Sequence, residues 1–301
     1  MENDRIVSGL LAQDAVRFTA IDGRAIVAEA RETHDLSRVC SAALGRTLLC
    51  AAMMGAQLKN QEDRLSVIIK GGGPAGNIVC STRLDGADVR VKGYIENPAL
   101  ELPLAPNGKL DVSTAVGWFG ELVVTRDLSM REPYVGHVPM VSGEIAEDFA
   151  QYFSVSEQQP SMVYLGVHVA ASDGRVLSAG GVIVQPLPNC PDAVLDDLQS
   201  RAAGVGALAG MLETMPLEQA VAQLFADMDM RVTQTRTPYY RCDCSRERLE
   251  RVLVSLGNDE LADMIEKERH AQLTCQFCNA TYDFDENELE QLRREASEKQ
   301  V

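Results

Sequence analysis

The chain has 301 residues, 46% hydrophobic and 24% charged, which excludes a disordered protein and exceeds one ordinary core, so about two domains are expected. A net charge of −16 repels phosphate backbones and argues against a nucleic-acid partner. The most apolar stretch, AALGRTLLCAAMMGAQL, is interrupted by Arg46 and falls short of the roughly 18 apolar residues of a membrane span, and MENDRIVSGLLAQD has no leader-like apolar run, so a cytoplasmic location is expected.

Residues 14 to 32 read as strand, turn, strand: AVRFTA, then IDGR, then AIVAEA, with Asp22-Gly23 as a hairpin-turn signal. HDLSRVCSAALGRTLLCAAMMGAQLK carries dense, helically spaced apolar residues and predicts one buried helix of about five turns or more. Strand RLSVIIK leads into GGGPAG, which matches G-x-G-x-x-G through Gly71, Gly73 and Gly76. A dinucleotide fingerprint must open a helix, whose N-terminus holds the pyrophosphate. Pro74 and the strand-like NIVCSTRLDG beyond it predict an inter-strand loop instead.

Strand patterns continue through ADVRVKGYI and GELVVTRD. SGEIAEDFAQYFSVSEQ predicts a short helix with Ser142 as N-cap and Ile145, Phe149 and Phe153 on one face. SMVYLGVHVA, SDGR and VLSAGGVIVQ predict a second hairpin. Strands and helices do not alternate strictly, so the expected class is α+β, with a mixed sheet-and-helix domain over residues 1–188. Pro186, Pro188 and Pro191 mark its end.

Residues 189–238 form the next expected segment, helical in pattern from 191 to 236 but weak in propensity. Leu195, Leu198 and Ala202 make one stripe; Leu217, Val221, Leu224 and Phe225 make another. Between them AAGVGALAG holds three glycines, each about 1 kcal/mol less favourable than alanine in a helix. Met211, Met215, Met228 and Met230 lie here too, and methionine is the adaptable residue of promiscuous binding surfaces. An ordinary helical connector and a weakly stable binding surface both fit this pattern.

His34, His137, His168 and His270 are isolated, and no H-E-x-x-H, deaminase or G-x-S-x-G pattern occurs, so no enzyme is expected. Cys40, Cys50 and Cys80 sit in apolar segments and read as small core residues; Cys190 sits in the proline-rich stretch. The last four cysteines differ. Cys242-x-Cys244 and Cys275-x-x-Cys278 are two close pairs separated by a foldable segment, the arrangement that a tetrahedral thiolate site needs, so one Zn²⁺ per chain is expected over residues 239–301. So short a region has few large apolar groups and needs such a staple. C-x-C departs from the usual ribbon spacing and makes a strained, labile ring when oxidised, while C-x-x-C is a familiar redox spacing. Two states are therefore expected: four thiolates on zinc, or disulfides Cys242–Cys244 and Cys275–Cys278 without it. Losing the metal removes folding free energy and should unfold the region.

With a gap of thirty residues between the pairs, this pattern resembles the redox-regulated heat-shock chaperone family of about thirty-three kilodaltons. The segments KGGGPAGNIV, GYIENP, SGEIAEDFAQYFSVSEQQPS, AGGVIVQPLP and CDCSRERLERVLVSLGNDELADMI resemble that family as well, so the likeness covers most of the chain. Members usually have a glycine turn before the second pair; here Arg269 and His270 stand in its place. The resemblance implies an ATP-independent holdase for unfolding client proteins, inactive when reduced and zinc-bound. Peroxide with mild unfolding, or hypochlorous acid, is implied to activate it, with homodimer formation. It also implies that 189–238 is a metastable linker, with Leu217, Val221, Leu224, Phe225 and Met228 as candidate client contacts. A zinc-ribbon adaptor with no redox role is the alternative; a thiol oxidoreductase would need a βαβ scaffold that the C-terminal pattern lacks.

Overall fold

The computed structural model describes residues 4–299, which divide into two units, one up to Arg241 and one from Cys242 onward. The first unit contains two sheets. One consists of β1 (Arg5–Leu11), β2 (Val16–Asp22), β8 (Met162–Val169), β9 (Val176–Pro186) and β10 (Arg231–Arg236), in the order β10-β1-β2-β9-β8. The other consists of β3 (Arg64–Lys70), β4 (Ile78–Asp85), β5 (Asp88–Ile95), β6 (Glu121–Asp127), β7 (Tyr134–Pro139) and β11 (Pro238–Tyr240), in the order β11-β5-β4-β3-β6-β7. Every pairing is antiparallel except β11 on β5. With helices segregated between and beside the sheets, the class is α+β, as the pattern predicts.

Helix α2 (Arg38–Gly55) is the centre of this unit. It packs on strands of both sheets, which is why its apolar residues run all round it. Ser37 caps it, its hydroxyl accepting from the Cys40 N–H. Ile69, Val91 and Ile78 from one sheet, and Ile21, Leu165 and Ile183 from the other, join the same core.

The structure corrects the expected first hairpin. AIVAEA is part of helix α1 (Arg24–His34), and β2 instead pairs with β1 and β9. Ile26, Val27, Ala30 and His34 are its buried residues, which is helical spacing. Its start is fixed from far away: the Asp4 carboxylate accepts from the N–H groups of Ala25 and Ile26, each at 2.8 Å. Ser142 is likewise not an N-cap. Helix α4 (Ala146–Val155) starts after Ile145, and the Asp148 carboxylate takes the N–H groups of Val141, Ser142 and Ile145. Ile145, Phe149 and Phe153 are all buried, as predicted.

GGGPAG is a loop between β3 and β4. It lies against the end of the short helix α3 (Val112–Val116): a side chain at Gly71 or Gly73 would meet the Val116 or Ala115 carbonyl at 2.2 or 2.4 Å. The glycines serve close backbone packing.

The expected helical segment contains α5 (Asp192–Val205), α6 (Leu208–Met211) and α7 (Leu217–Leu224), interrupted at Gly206-Ala207 and at residues 212–216, while Gly204 and Gly210 stay helical. Its last part is not helical: residues 231–236 form β10, where β-branched Val232, Thr233 and Thr235 favour an extended edge strand. The helices cover β1, β2 and β9, burying Val7, Phe18, Val182 and Val184 beneath Leu198, Val205 and Leu208.

The second unit contains α8 (Arg246–Leu256), α9 (Asn258–Glu268), the hairpin β12 (His270–Thr274) with β13 (Thr281–Asp285), and α10 (Glu286–Lys299). Its core is small: Leu253, Val254, Leu261, Ile265, Ala271, Phe284, Leu289, Leu292 and Ala296. Among the described residues no helix is long and apolar enough to cross a membrane.

Candidate metal centre

Two local structures present the last four cysteines. Cys242 and Cys244 lie in extended chain just before α8, whose N-cap Ser245 accepts from the Arg248 N–H. Cys275 and Cys278 lie in the turn between β12 and β13. That turn is closed by the Cys275 N–H on the Ala280 carbonyl at 2.9 Å and by the Asn279 N–H on the Cys275 carbonyl at 2.8 Å. Asn279 takes the left-handed conformation (φ 56°) that lets the chain reverse so sharply.

The four Sγ atoms lie within 4.8 Å of one another. Cys242 and Cys275 are 3.7 Å apart, Cys244 and Cys278 3.3 Å. A tetrahedron with Zn–S bonds of ~2.3 Å has edges of about 3.8 Å, so this donor set fits a four-thiolate site for a metal ion. All four are free thiols, half-buried.

Neighbouring groups orient the sulfurs. The Cys244 N–H points at the Cys242 sulfur at 3.4 Å, and the Tyr282 hydroxyl lies 3.3 Å from the Cys244 sulfur. Burial alone raises the Cys244 thiol, but hydrogen bonds with Tyr282 and the other three cysteines leave it below its ordinary value. Burial pushes the Cys278 thiol up. Tyr282 itself is pushed up to about 12, chiefly by its bond to Cys244. Tyr282 is the neighbour that the cysteine spacing does not reveal; its signal is the alternation in TYDFD, which sets Tyr282 and Phe284 on one face of β13. The Arg246 guanidinium sits 4.4 Å over the Phe284 ring.

The turn before the second pair forms without glycine. Arg269 ends α9 in the left-handed conformation (φ 54°), its N–H reaching the Ile265 and Met264 carbonyls.

The other cysteines lie elsewhere. Cys40, Cys50 and Cys80 are fully buried in the first unit, and burial raises all three thiols. Cys190 is half-exposed near the start of α5. No histidine joins the cluster among the described residues. His34 bonds the Gly93 carbonyl and the Tyr240 hydroxyl, His137 meets Glu121, His168 meets Glu213 and His270 meets Asp283. Leu217, Val221, Phe225 and Met228 fall in one buried cluster under α5–α7, with Leu224 half-buried at its side.

Comparison with known proteins agrees with this geometry. The Hsp33 protein family profile matches residues 4–285. A 33 kDa chaperonin of Clostridioides difficile strain 630 is 40% identical over 293 residues, covering 97% of this chain and 99% of that protein. One from Alkaliphilus metalliredigens is 41% identical over 291 residues, 96% of this chain and 98% of that protein. The crystal structure of the 33 kDa chaperonin from Thermotoga maritima superposes with a TM-score of 0.87 at 36% identity, covering 99% of this chain and all of that one. A likeness that runs the length of the chain in both sequence and structure leaves one conclusion: this chain belongs to the Hsp33 family of chaperones.

Proposed function

We propose that this chain is a redox-regulated, ATP-independent holdase of the cytoplasm, not an enzyme, that binds unfolding proteins during oxidative stress. The observation that carries the reading is the cluster of four sulfurs within 4.8 Å in a unit with so small a core. In the reduced protein Cys242, Cys244, Cys275 and Cys278 hold one zinc ion. When bound, zinc keeps the sulfurs as thiolates and cross-links two segments of a unit that has little apolar burial of its own.

Oxidation removes that cross-link. A thiolate sulfur attacks peroxide and becomes a sulfenic acid with release of hydroxide. The neighbouring thiolate displaces the second hydroxide, forming Cys242–Cys244 or Cys275–Cys278. Each pair of thiolates thus gives up two electrons to one peroxide, which leaves as two hydroxides. Within-pair bridges leave the two segments unconnected, so the C-terminal unit loses its staple and unfolds.

The segment 189–238 acts as a metastable linker that opens in turn. Its helices are short, interrupted at Gly206-Ala207 and again between Leu212 and Pro216, and docked by their apolar side. Opening frees Leu217, Val221, Leu224, Phe225 and Met228 for clients, and the opened chains form homodimers. The test is zinc content and suppression of aggregation of a thermally unfolding protein, each before and after peroxide at mild heat. One zinc per reduced chain, its release on oxidation and the appearance of suppression only then are expected. Zinc that survives oxidation, or equal suppression in both states, sinks the reading and favours a non-redox adaptor.

A further inference from the structure

The strand β10 occupies an odd position. It belongs to the segment that covers the first sheet, yet it is also the outermost strand of that sheet, paired antiparallel to β1 from Ile6↔Arg236 to Leu10↔Arg231. Five of its six residues are exposed. It is entered through two left-handed aspartates, Asp227 (φ 66°) and Asp229 (φ 48°), the turn conformation that aspartate tolerates better than most residues.

Its seat on β1 is irregular. The register shifts between Ser8 and Gly9, leaving Thr233 as an extra residue whose hydroxyl donates to the Ser8 carbonyl. At the bulge the Arg231 carbonyl comes so close that a side chain on Gly9 would stand 2.3 Å from it. The strand is also poorly matched to what lies beneath. Paired residues share a face, and Val7 faces the apolar cluster under α5–α7, so on that face β10 sets the exposed, polar Thr235 opposite Val7 and Val232, itself 41% exposed, opposite Gly9.

We propose that β1 is a docking edge for an extended segment of an unfolding protein, and that β10 is the strand that blocks it in the resting state. This rests on the linker-opening reading above. When α5–α7 and β10 leave together, the backbone edge of β1 and the apolar face of Val7, Phe18 and Val184 open side by side. An incoming strand then gains main-chain hydrogen bonds from β1 and places alternate side chains on the apolar face. The partner is therefore an extended segment with apolar residues at every second position. Such a segment buries apolar surface where β10 offers Thr235. A second copy's β10 brings the same polar strand and gains nothing there.

The full-length protein tests this, with a nine-residue peptide alternating valine and serine as the probe. A control peptide of the same sequence is N-methylated at two valines and two serines, which blocks both of its backbone edges. The oxidised protein is expected to bind the unmodified peptide at least tenfold more tightly, and the reduced protein neither. Equal binding of the two peptides by the oxidised protein overturns the proposal, because contact is then through side chains alone. Hydrogen exchange separates the two readings. Protection of β10 that survives oxidation shows that the linker step itself fails. Loss of β10 protection with β1 amides that stay unprotected under saturating peptide overturns strand docking alone. Concentration-dependent protection of β1 on oxidation without peptide points to a second copy, and overturns it too.

Discussion

The cysteines of the two units live in opposite surroundings. Cys40, Cys50 and Cys80 lie in a core built from both sheets and α2, with more than forty buried apolar residues, and burial raises their thiols. The last four are half-buried, share one cluster and stand beside a core of nine residues. A buried thiol is an inert small hydrophobe, whereas a thiol grouped with others and open to solvent is a ligand and a nucleophile. One unit is held by what it buries. The other, on our reading, is held by what it binds.

The sharpest way to break that contrast is to take the metal away. Metal binding in small zinc modules is worth ~10–16 kcal/mol of apparent free energy, about as much as the gross burial of a core this small, most of which chain entropy cancels. Chelation, or Cys275→Ser, is expected to abolish zinc binding and collapse amide protection across α8–α10, while α2 and the sheets keep theirs. Hydrogen exchange with zinc analysis measures both. A C-terminal unit that stays protected without zinc ends the comparison. Under peroxide, peptide mapping is expected to find Cys242–Cys244 and Cys275–Cys278 bridged with Cys40, Cys50 and Cys80 reduced; Cys244–Cys275 bridges refute the pairing.

One phenylalanine in each unit gives the next test. Phe149 and Phe284 are both fully buried, and truncation of either to alanine costs about 3–5 kcal/mol locally. In the first unit Phe149→Ala is expected to lower the melting temperature by roughly 6–20 °C with zinc retained. In the second unit Phe284→Ala also removes the ring under Arg246, and that loss is large against the whole core. Zinc release at lower peroxide and partial holdase activity in the reduced state are expected. Equal responses of the two variants in zinc retention contradict the contrast.

Much of this was legible in the chain because it is written locally. α2 shows in its apolar density, the β8–β9 hairpin in alternation around SDGR, and the four thiols in their spacing. What stayed hidden depends on distant partners. α1 hides behind Asp22-Gly23 because its cap is the Asp4 carboxylate, some twenty residues earlier. β10 hides because its residues are polar and its partner, β1, lies at the other end of the chain. Tyr282 is placed beside Cys244 by the hairpin; the alternation in TYDFD gives its face of the strand but not that neighbour.

The linker offers a smaller lever between the two extremes. Gly204 lies within α5 with open space where a side chain would go, and Gly206 ends that helix in a right-handed conformation. Gly204→Ala is expected to stabilise the segment by about 1 kcal/mol, while Gly206→Ala, whose Cβ would stand 3.2 Å from the Ala203 carbonyl, adds a few tenths at most. Slower exchange across α5 and weaker suppression of aggregation after oxidation should follow. Leu224→Asp is the converse, and should bring activity to the zinc-bound protein. Fast exchange of α7 in an inactive reduced variant separates linker opening from activation.

The smallest effect concerns a single backbone angle. Arg269 ends α9 at φ 54°, where glycine carries no Cβ penalty and arginine carries about 1 kcal/mol. Its side chain is exposed, so little packing is lost with it. Arg269→Gly relieves the strain in the folded unit but also loosens the unfolded chain, so the net gain is a few tenths of a kcal/mol up to about 1. In the first unit such a change would vanish against the larger core. Beside a nine-residue core and, on the proposed function, a releasable zinc, it should be visible as a higher peroxide concentration at half-release of zinc. A threshold that is unchanged or lower would mean that the left-handed turn is not a weak point of the switch, and that the arginine holds the turn by contacts that glycine cannot replace.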